Sequence, residues 1–162
     1  MPKASPMSWD IVAILETCRD IELACAEIYT FYNERFSYDE ELKVLWSKTA
    51  LEEENHALQF NVAIKMRKDG VIVDHNADPI KATQILNMLK GILGSVKSHA
   101  PSEIDALSSS LKLEEKLQEF HLDYVAVFKD GHLKEMFTSM MSADQLHREA
   151  IEKVFLKRVG RP

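Results

Sequence analysis

Apolar residues recur at intervals of three and four along four long segments of the chain, 11–36, 42–63, 107–128 and 133–154. This spacing follows the period of the α-helix, so each segment predicts an amphipathic helix with one apolar face. Faces of this length pack against one another as a left-handed bundle. The pattern therefore predicts an all-α chain whose centre is a four-helix bundle.

Turn signals divide the four helices into two pairs. Ser37 or Asp39 suits the N-cap of the second helix, and the segment 129–131, which ends in glycine, separates the third helix from the fourth. Connections this short join antiparallel neighbours. We therefore expect two helical hairpins, 9–68 and 103–158.

The segment 71–101 connects the two hairpins. It keeps an apolar helical face in spite of two glycines, and it predicts a fifth, shorter crossover helix. This face exceeds what one bundle needs, so it suits packing on the bundle or on a second copy of the chain, and we expect a homodimer. The face consists of Ile85, Leu89, Ile92 and Val96.

Composition agrees with a single helical domain, 1–162. The 162 residues are 46% hydrophobic and include only 5 Gly and 5 Pro. The net charge of -6 argues against a nucleic-acid surface. No apolar run has the length of a membrane span and no secretory core is visible, so we expect no membrane and a cytoplasmic location. Cys18 and Cys25 suit small core positions, and no C-x-x-C pair is present for an iron–thiolate centre.

Polar residues interrupt all four apolar faces near the middle of each helix. Charged side chains rarely tolerate burial unless they are paired or bind a metal. Two of the interruptions are an acid followed by histidine three residues later, which places both side chains on one helical face. The interrupting residues are Glu22, Glu53, His56, Glu114, Asp144 and His147.

The two hairpins resemble an internal repeat. When IELACAEIYTFY is laid over LEEKLQEFHLDY, and LWSKTALEEENH over MFTSMMSADQLH, the interrupting residues coincide. A single acid-x-x-His pair is expected by chance at this composition, so the signal lies in the matched placement. The alternative is a satisfied polar layer without metal. The matched positions are Glu22 with Glu114, Tyr29 with His121, Glu53 with Asp144, and His56 with His147.

This set of residue types predicts a site for two metal ions. Iron and manganese take carboxylate and imidazole ligands and leave positions open for small oxygen species. Di-metal sites in bundles use one carboxylate from each of two helices and an acid-x-x-His pair from each of the others. Here the first and third helices supply Glu22 and Glu114, and the second and fourth supply the two pairs.

The segments ELACAEIY, EENH, LEEK and DQLH resemble the rubrerythrin branch of the ferritin-like superfamily over residues 9–158. The resemblance implies a ferritin-like bundle that holds two iron ions, with manganese or zinc as possible replacements. It implies Glu53 and Asp144 as bridging ligands and Tyr29 as a hydrogen-bond donor beside the site. The remaining implied ligands are the terminal carboxylates Glu22 and Glu114 and the imidazoles His56 and His147.

The chain departs from the family pattern at three points. Asp144 stands where the family usually has Glu, which shortens its reach by one methylene group. These 162 residues contain no rubredoxin domain, so we expect an external electron donor. Leu117 replaces an additional acid, which removes the basis for the ligand exchange of rubrerythrins.

The resemblance implies a di-iron oxidoreductase that reduces hydrogen peroxide or dioxygen. Two alternatives stay open: a ferroxidase or iron-handling protein, and a non-enzymatic bundle that binds zinc or nothing. The role of His121 is open among hydrogen bonding, packing and ligation. Glu52 belongs either to the solvated face or to the surroundings of the metal ligands.

Overall fold

The computed structural model describes residues 11–72 and 79–160. In this part of the chain the backbone forms five α-helices and no strand, which confirms the predicted all-α class. The predicted crossover helix is present, while residues 9, 10 and 73–78 of the predicted hairpin and crossover lie outside the described residues. The helices are α1 (Ile11–Arg35), α2 (Glu40–Lys68), α3 (Ile80–Ser98), α4 (Glu103–Val127) and α5 (Gly131–Val159).

Side-chain caps fix the starts of three helices. Asp39, one of the two predicted caps of α2, accepts a hydrogen bond from the backbone N–H of Leu42 at 3.0 Å. Ser102 accepts from the N–H of Asp105 at 3.1 Å at the start of α4, and Asp130 caps α5 in the same way. Each cap satisfies backbone N–H groups that have no partner within the helix. The positions of the turns therefore follow from the local sequence.

The four long helices form two hairpins that meet along their polar interruptions. α1 packs along α2, α4 packs along α5, α3 lies on α1, and α2 also touches α5. Arg158, in the last turn of α5, lies 2.7 Å from Asp39 before α2 and 2.9 Å from Glu103 in the first turn of α4. α2 and α4 thus begin at the end of the bundle where α5 finishes, so α2 and α5 run antiparallel.

Apolar and aromatic side chains fill the bundle on both sides of its polar centre. Trp46 is fully buried, and its ring stacks on Tyr29 with centroids 5.5 Å apart. Phe60 on α2 meets Phe137 on α5 edge to face at 5.5 Å. The two cysteines are also fully buried, as expected for small core residues, and burial raises the pKa of both thiols.

The crossover helix uses its apolar face within the same chain. Leu89 is fully buried, and Ile85, Ile92 and Val96 pack against the core in half-buried positions. The face therefore packs on α1, which is the first of the two uses expected for it. Among the described residues, none of the helices combines the length and apolar character of a membrane span.

Candidate metal centre

All six interrupting residues lie buried at one place in the middle of the bundle. The four carboxylates are fully buried, and the two imidazoles are 7% exposed at His56 and 4% exposed at His147. They come from four different helices and therefore from both halves of the repeat. Burial of four acids at one point calls for compensating positive charge, since an isolated buried carboxylate is very costly.

The ligand atoms fall into two overlapping groups that can each hold a metal ion. The four-donor group consists of Glu53, Glu114, Asp144 and His147, and the three-donor group consists of Glu22, Glu53 and His56; within each group one atom per residue lies within 4.8 Å of the others. Glu53 is the one residue that belongs to both groups. Asp144, which the resemblance implies as a second bridge, belongs to the four-donor group alone.

Each imidazole turns Nδ1 towards two carboxylates. His56 Nδ1 lies 3.3 Å from Glu53 and 3.5 Å from Glu22. His147 Nδ1 lies 3.0 Å from Glu53 and 3.6 Å from Glu114. The two rings are roughly parallel, with centroids 6.2 Å apart. Glu53 is therefore the one carboxylate that lies close to Nδ1 of both His56 and His147.

Unpartnered polar atoms at this place fit a bound cation. Buried polar groups nearly always have a hydrogen-bond partner, so each exception requires an explanation. Seven buried side-chain atoms have no partner with hydrogen-bond geometry in the described part of the chain, and five of the seven belong to the six interrupting residues. Two of the five, Glu53 Oε1 and His147 Nδ1, lie 3.0 Å apart as an ion pair. Carboxylate oxygens and imidazole nitrogens are the donors that iron, manganese and zinc accept. The five atoms are Glu22 Oε2, Glu53 Oε1, Glu114 Oε2, Asp144 Oδ1 and His147 Nδ1.

The surroundings shift the pKa values of the buried carboxylates in different directions. Burial raises the pKa of Glu53, and the negative charge of Glu22 raises it further. Burial also raises the pKa of Asp144, to about 7, although the nearby imidazole of His121 opposes the shift. For Glu22, burial favours the neutral form, but hydrogen bonds with Glu53 and the two nearest imidazoles outweigh it and lower the pKa below its usual range. Without metal, protons therefore take part in balancing the charge of the cluster.

His56 and His147 are held in the charged form by the carboxylates around them. Burial lowers the pKa of His56, but its hydrogen bonds with Glu22 and Glu53 prevail and raise it to about 10. Burial also lowers the pKa of His147, but its hydrogen bonds with Glu114 and Glu53 outweigh this effect and raise the pKa to about 11. A metal ion needs the unprotonated nitrogen. Cations and protons therefore compete for the same atoms.

Tyr29 occupies the position implied for it. Its hydroxyl donates a hydrogen bond to Glu114 Oε1 across the α1–α4 contact. Burial raises the pKa of this phenol, and the charge of Glu114 raises it further, so the hydroxyl keeps its proton. The bond fixes one oxygen of Glu114 and leaves the other facing the cluster.

His121 makes the hydrogen-bonding contacts that the sequence left open against packing and ligation. It is fully buried, with Nε2 2.9 Å from Glu22 Oε1 and Nδ1 2.5 Å from Asp144 Oδ2. Burial opposes its positive charge, but the carboxylates of Asp144 and Glu22 raise its pKa well above the usual value. Both ring nitrogens are thus engaged by carboxylates that face the centre.

Glu52 is a further functional candidate, which the sequence did not distinguish from a solvated surface residue. Its carboxylate hydrogen-bonds His147 Nε2 across the α2–α5 contact. A carboxylate on the outer nitrogen of a histidine fixes the ring and strengthens the inner nitrogen as a ligand. The matched residue in the other half of the repeat is Ala143, so the repeat does not provide His56 with the same support.

A cleft leads from solvent to the two imidazoles. It has a volume of about 460 Å³ and lies between α2 and α5. His56, His147 and Glu52 line it, together with the small side chains of Ala143 and Ala150. Small oxygen species and ions can therefore approach the imidazole side of the centre without passing through the core.

Comparison with known proteins adds no assignment, because no family model, curated protein or solved structure matches this chain. The all-α bundle and its buried carboxylate–histidine cluster are compatible with a ferritin-like fold. What defines the class of this protein is therefore the centre itself: a helical protein with a buried site that can hold metal.

Proposed function

We propose that this protein is a di-iron carboxylate oxidoreductase of the rubrerythrin type, which reduces hydrogen peroxide or dioxygen with electrons from an external donor. The observation that carries the proposal is the pair of donor groups that share Glu53. Two iron ions supply two electrons between their ferrous and ferric states, the number that reduces hydrogen peroxide with two protons to two molecules of water.

The side chains of the chain itself prepare the centre for this chemistry. Glu53 places one carboxylate between the two donor groups and so lowers the repulsion between two cations. Tyr29 holds Glu114, and Glu52 holds His147, which preorganises two donors of the four-donor group before metal binds. The α2–α5 cleft admits a small oxidant on the side of the imidazoles.

The proposal is tested with metal-free full-length protein loaded anaerobically with ferrous iron. We expect two iron ions per chain, and one equivalent of hydrogen peroxide should oxidise both while changing the visible spectrum. Glu53→Ala should lose most of the bound iron and the spectral change, whereas the exposed neighbour variant Glu54→Ala should retain both. Peroxide consumption must then continue through many turnovers when a chemical reductant is added.

Different outcomes separate the alternatives. Oxidation of iron that continues far beyond two ions per chain, without peroxide turnover, would favour iron handling. A centre that binds zinc but gives no reaction with peroxide in its iron form would favour a non-enzymatic metal-binding bundle. Retention of two iron ions by Glu53→Ala would contradict the site itself.

We also propose that the chain forms a homodimer through α2. Four apolar residues on the face of α2 opposite the core are 56–61% exposed: Val44, Leu51, Leu58 and Val62. The first turn of α2 is acidic and its last turn is basic. In an antiparallel pair of α2 helices the apolar faces meet and each acidic end lies beside a basic end of the second copy.

A further inference from the structure

The hydrogen bonds of the centre show where the two halves of the repeat differ. In one half, Tyr29 on α1 donates its hydroxyl proton to Glu114 on α4. In the other half, His121 on α4 stands at the position matched to Tyr29, and its Nε2 lies 2.9 Å from Glu22 on α1. Each terminal carboxylate is therefore held by a side chain from the opposite helix.

His121 makes one contact that Tyr29 has no means to copy. A tyrosine carries a single polar atom, whereas an imidazole carries two on opposite sides of the ring. The second nitrogen, Nδ1, lies 2.5 Å from Asp144 Oδ2. His121 thus ties Asp144 to Glu22 through one rigid ring, and the first half of the repeat lacks an equivalent link.

The contact between His121 and Asp144 involves a residue that belongs to only one of the two donor groups. Asp144 Oδ2 is engaged by His121, and Oδ1 is the oxygen without a partner in the described part of the chain. Asp144 joins the four-donor group but not Glu22 and His56. Its side chain is short, and one of its two oxygens is occupied, so it has little freedom to reach both groups.

We propose that His121 is a positioning residue that holds Asp144 in the four-donor group and thereby makes the two metal positions unequal. The inference rests on the proposed metal-binding function. The four-donor group offers one more protein ligand than the three-donor group, so the first ion enters the four-donor group. The second ion binds more weakly, with fewer protein ligands and more solvent ligands.

The experiment is a titration of metal-free full-length protein with manganese(II), monitored by calorimetry and by electron paramagnetic resonance. We expect two separate binding steps whose dissociation constants differ at least about tenfold, within the range that outer hydrogen-bond partners impose on metal affinity. At one equivalent the spectrum should show isolated manganese, and magnetically coupled pairs should appear with the second equivalent. Coupled pairs at half-saturation, or two equal steps, would overturn the inference.

His121→Tyr tests the role of the ring directly, because it installs the residue found at the matched position. The hydroxyl can still hold Glu22, but Asp144 is released. We expect the first step to weaken about tenfold, because Asp144 loses the ring that holds it in the four-donor group. The second step should tighten, because the released Asp144 can reach the other group, so the two dissociation constants approach each other. Loss of one bound ion in this variant would instead identify His121 as a ligand and overturn the positioning role.

Tyr29→Phe is the matched control, because it removes the corresponding bond to Glu114. It should weaken the first step and leave the second nearly unchanged, so a tighter second step is expected for His121→Tyr and not for Tyr29→Phe. If His121→Tyr does not fold, the half-saturation spectrum of the unmodified protein still decides whether the two metal positions are unequal. Absence of manganese binding in the unmodified protein would refute the proposed function, whereas binding in two equal steps would refute only the inequality.

Discussion

At the scale of single residues, we expect the hydrogen bond between Glu52 and His147 to determine how well the four-donor group holds metal. Glu52→Ala removes the bond to Nε2 and leaves the ring free to rotate. We expect the affinity of the first metal step to fall about 10–100-fold, the usual effect of losing such a partner. Calorimetric titration measures the change.

Glu54→Ala is the control for this prediction, since Glu54 is an exposed acid on the same helix and lies outside both donor groups. Removing it subtracts the same charge without touching His147. An equal loss of metal affinity in both variants would mean that the removed negative charge causes the loss, and that the hydrogen bond to His147 does not contribute.

The charged imidazoles give the metal-free protein a characteristic pH dependence. The pKa of His56 is raised to about 10 and that of His147 to about 11. A raised pKa in the folded state stabilises the fold fully below the pKa of the unfolded state, and this contribution is lost as pH rises through the folded pKa. We therefore expect the melting temperature of the metal-free protein to fall as pH rises from about 7 to 9.

Bound metal should reverse this trend, because metal binding displaces protons from the same nitrogens. The rise in melting temperature on adding manganese(II) should grow over the same pH interval. Titration in buffers of different ionisation enthalpy counts the protons released. A melting temperature that rises with pH in the metal-free protein would contradict the assigned charge states.

At the scale of helices, Arg158 fastens three of them at one end of the bundle. Its guanidinium contacts Asp39, Glu41 and Glu103 from the last turn of α5. These groups are partly exposed, so Arg158→Gln should lower the free energy of unfolding by about 1–2 kcal/mol in total. Urea unfolding at neutral pH measures the loss.

Acid should abolish the difference in the free energy of unfolding between the wild-type protein and Arg158→Gln. The hydrogen bond with Arg158 is the main reason that the pKa of Asp39 is lowered to about 2. A lowered pKa stabilises the fold above the unfolded-state value and loses that effect as pH falls through the folded value. The gap between wild type and Arg158→Gln should thus close between about pH 4 and pH 2. Lys157→Gln, which removes a single exposed contact to Glu41, should show only a small gap throughout.

The helices could be predicted from the sequence because their signals are local. Apolar spacing sets each helix, and the cap residue Asp39 sets the start of α2. The gathering of the six interrupting residues could also be predicted, because a repeat that matches polar positions on packed helices brings them to one level. These inferences need only the period of the helix and the order of the elements.

The contacts of His121 and Glu52 could not be predicted in the same way. The contacts of His121 with Glu22 and of Glu52 with His147 join residues of different hairpins. They therefore depend on the rotation and register of α4 against α1 and of α5 against α2. Helical spacing places Glu52 beside the apolar face, where it could point to solvent, and places His121 on that face with its role open. The use of the crossover face was open for the same reason, since its packing depends on where α3 lies.

At the scale of the whole molecule, the proposed homodimer rests on the exposed apolar face of α2. Leu51 and Leu58 lie at the middle of this face and are 58% and 61% exposed. Replacing both with Glu would place like charges against each other across an antiparallel pair and should yield a monomer at concentrations where the unmodified protein is a dimer. Analytical ultracentrifugation measures the mass.

The control for association is Leu122→Glu on α4, which is similarly exposed at 51% and lies away from α2. It adds the same charge to another surface and should leave the dimer intact. Because the donor atoms of the centre all come from one chain, the monomeric double variant should still bind two metal ions. A double variant that stays dimeric would exclude the α2 face as the interface, and one that loses metal on becoming monomeric would show that the second copy stabilises the centre.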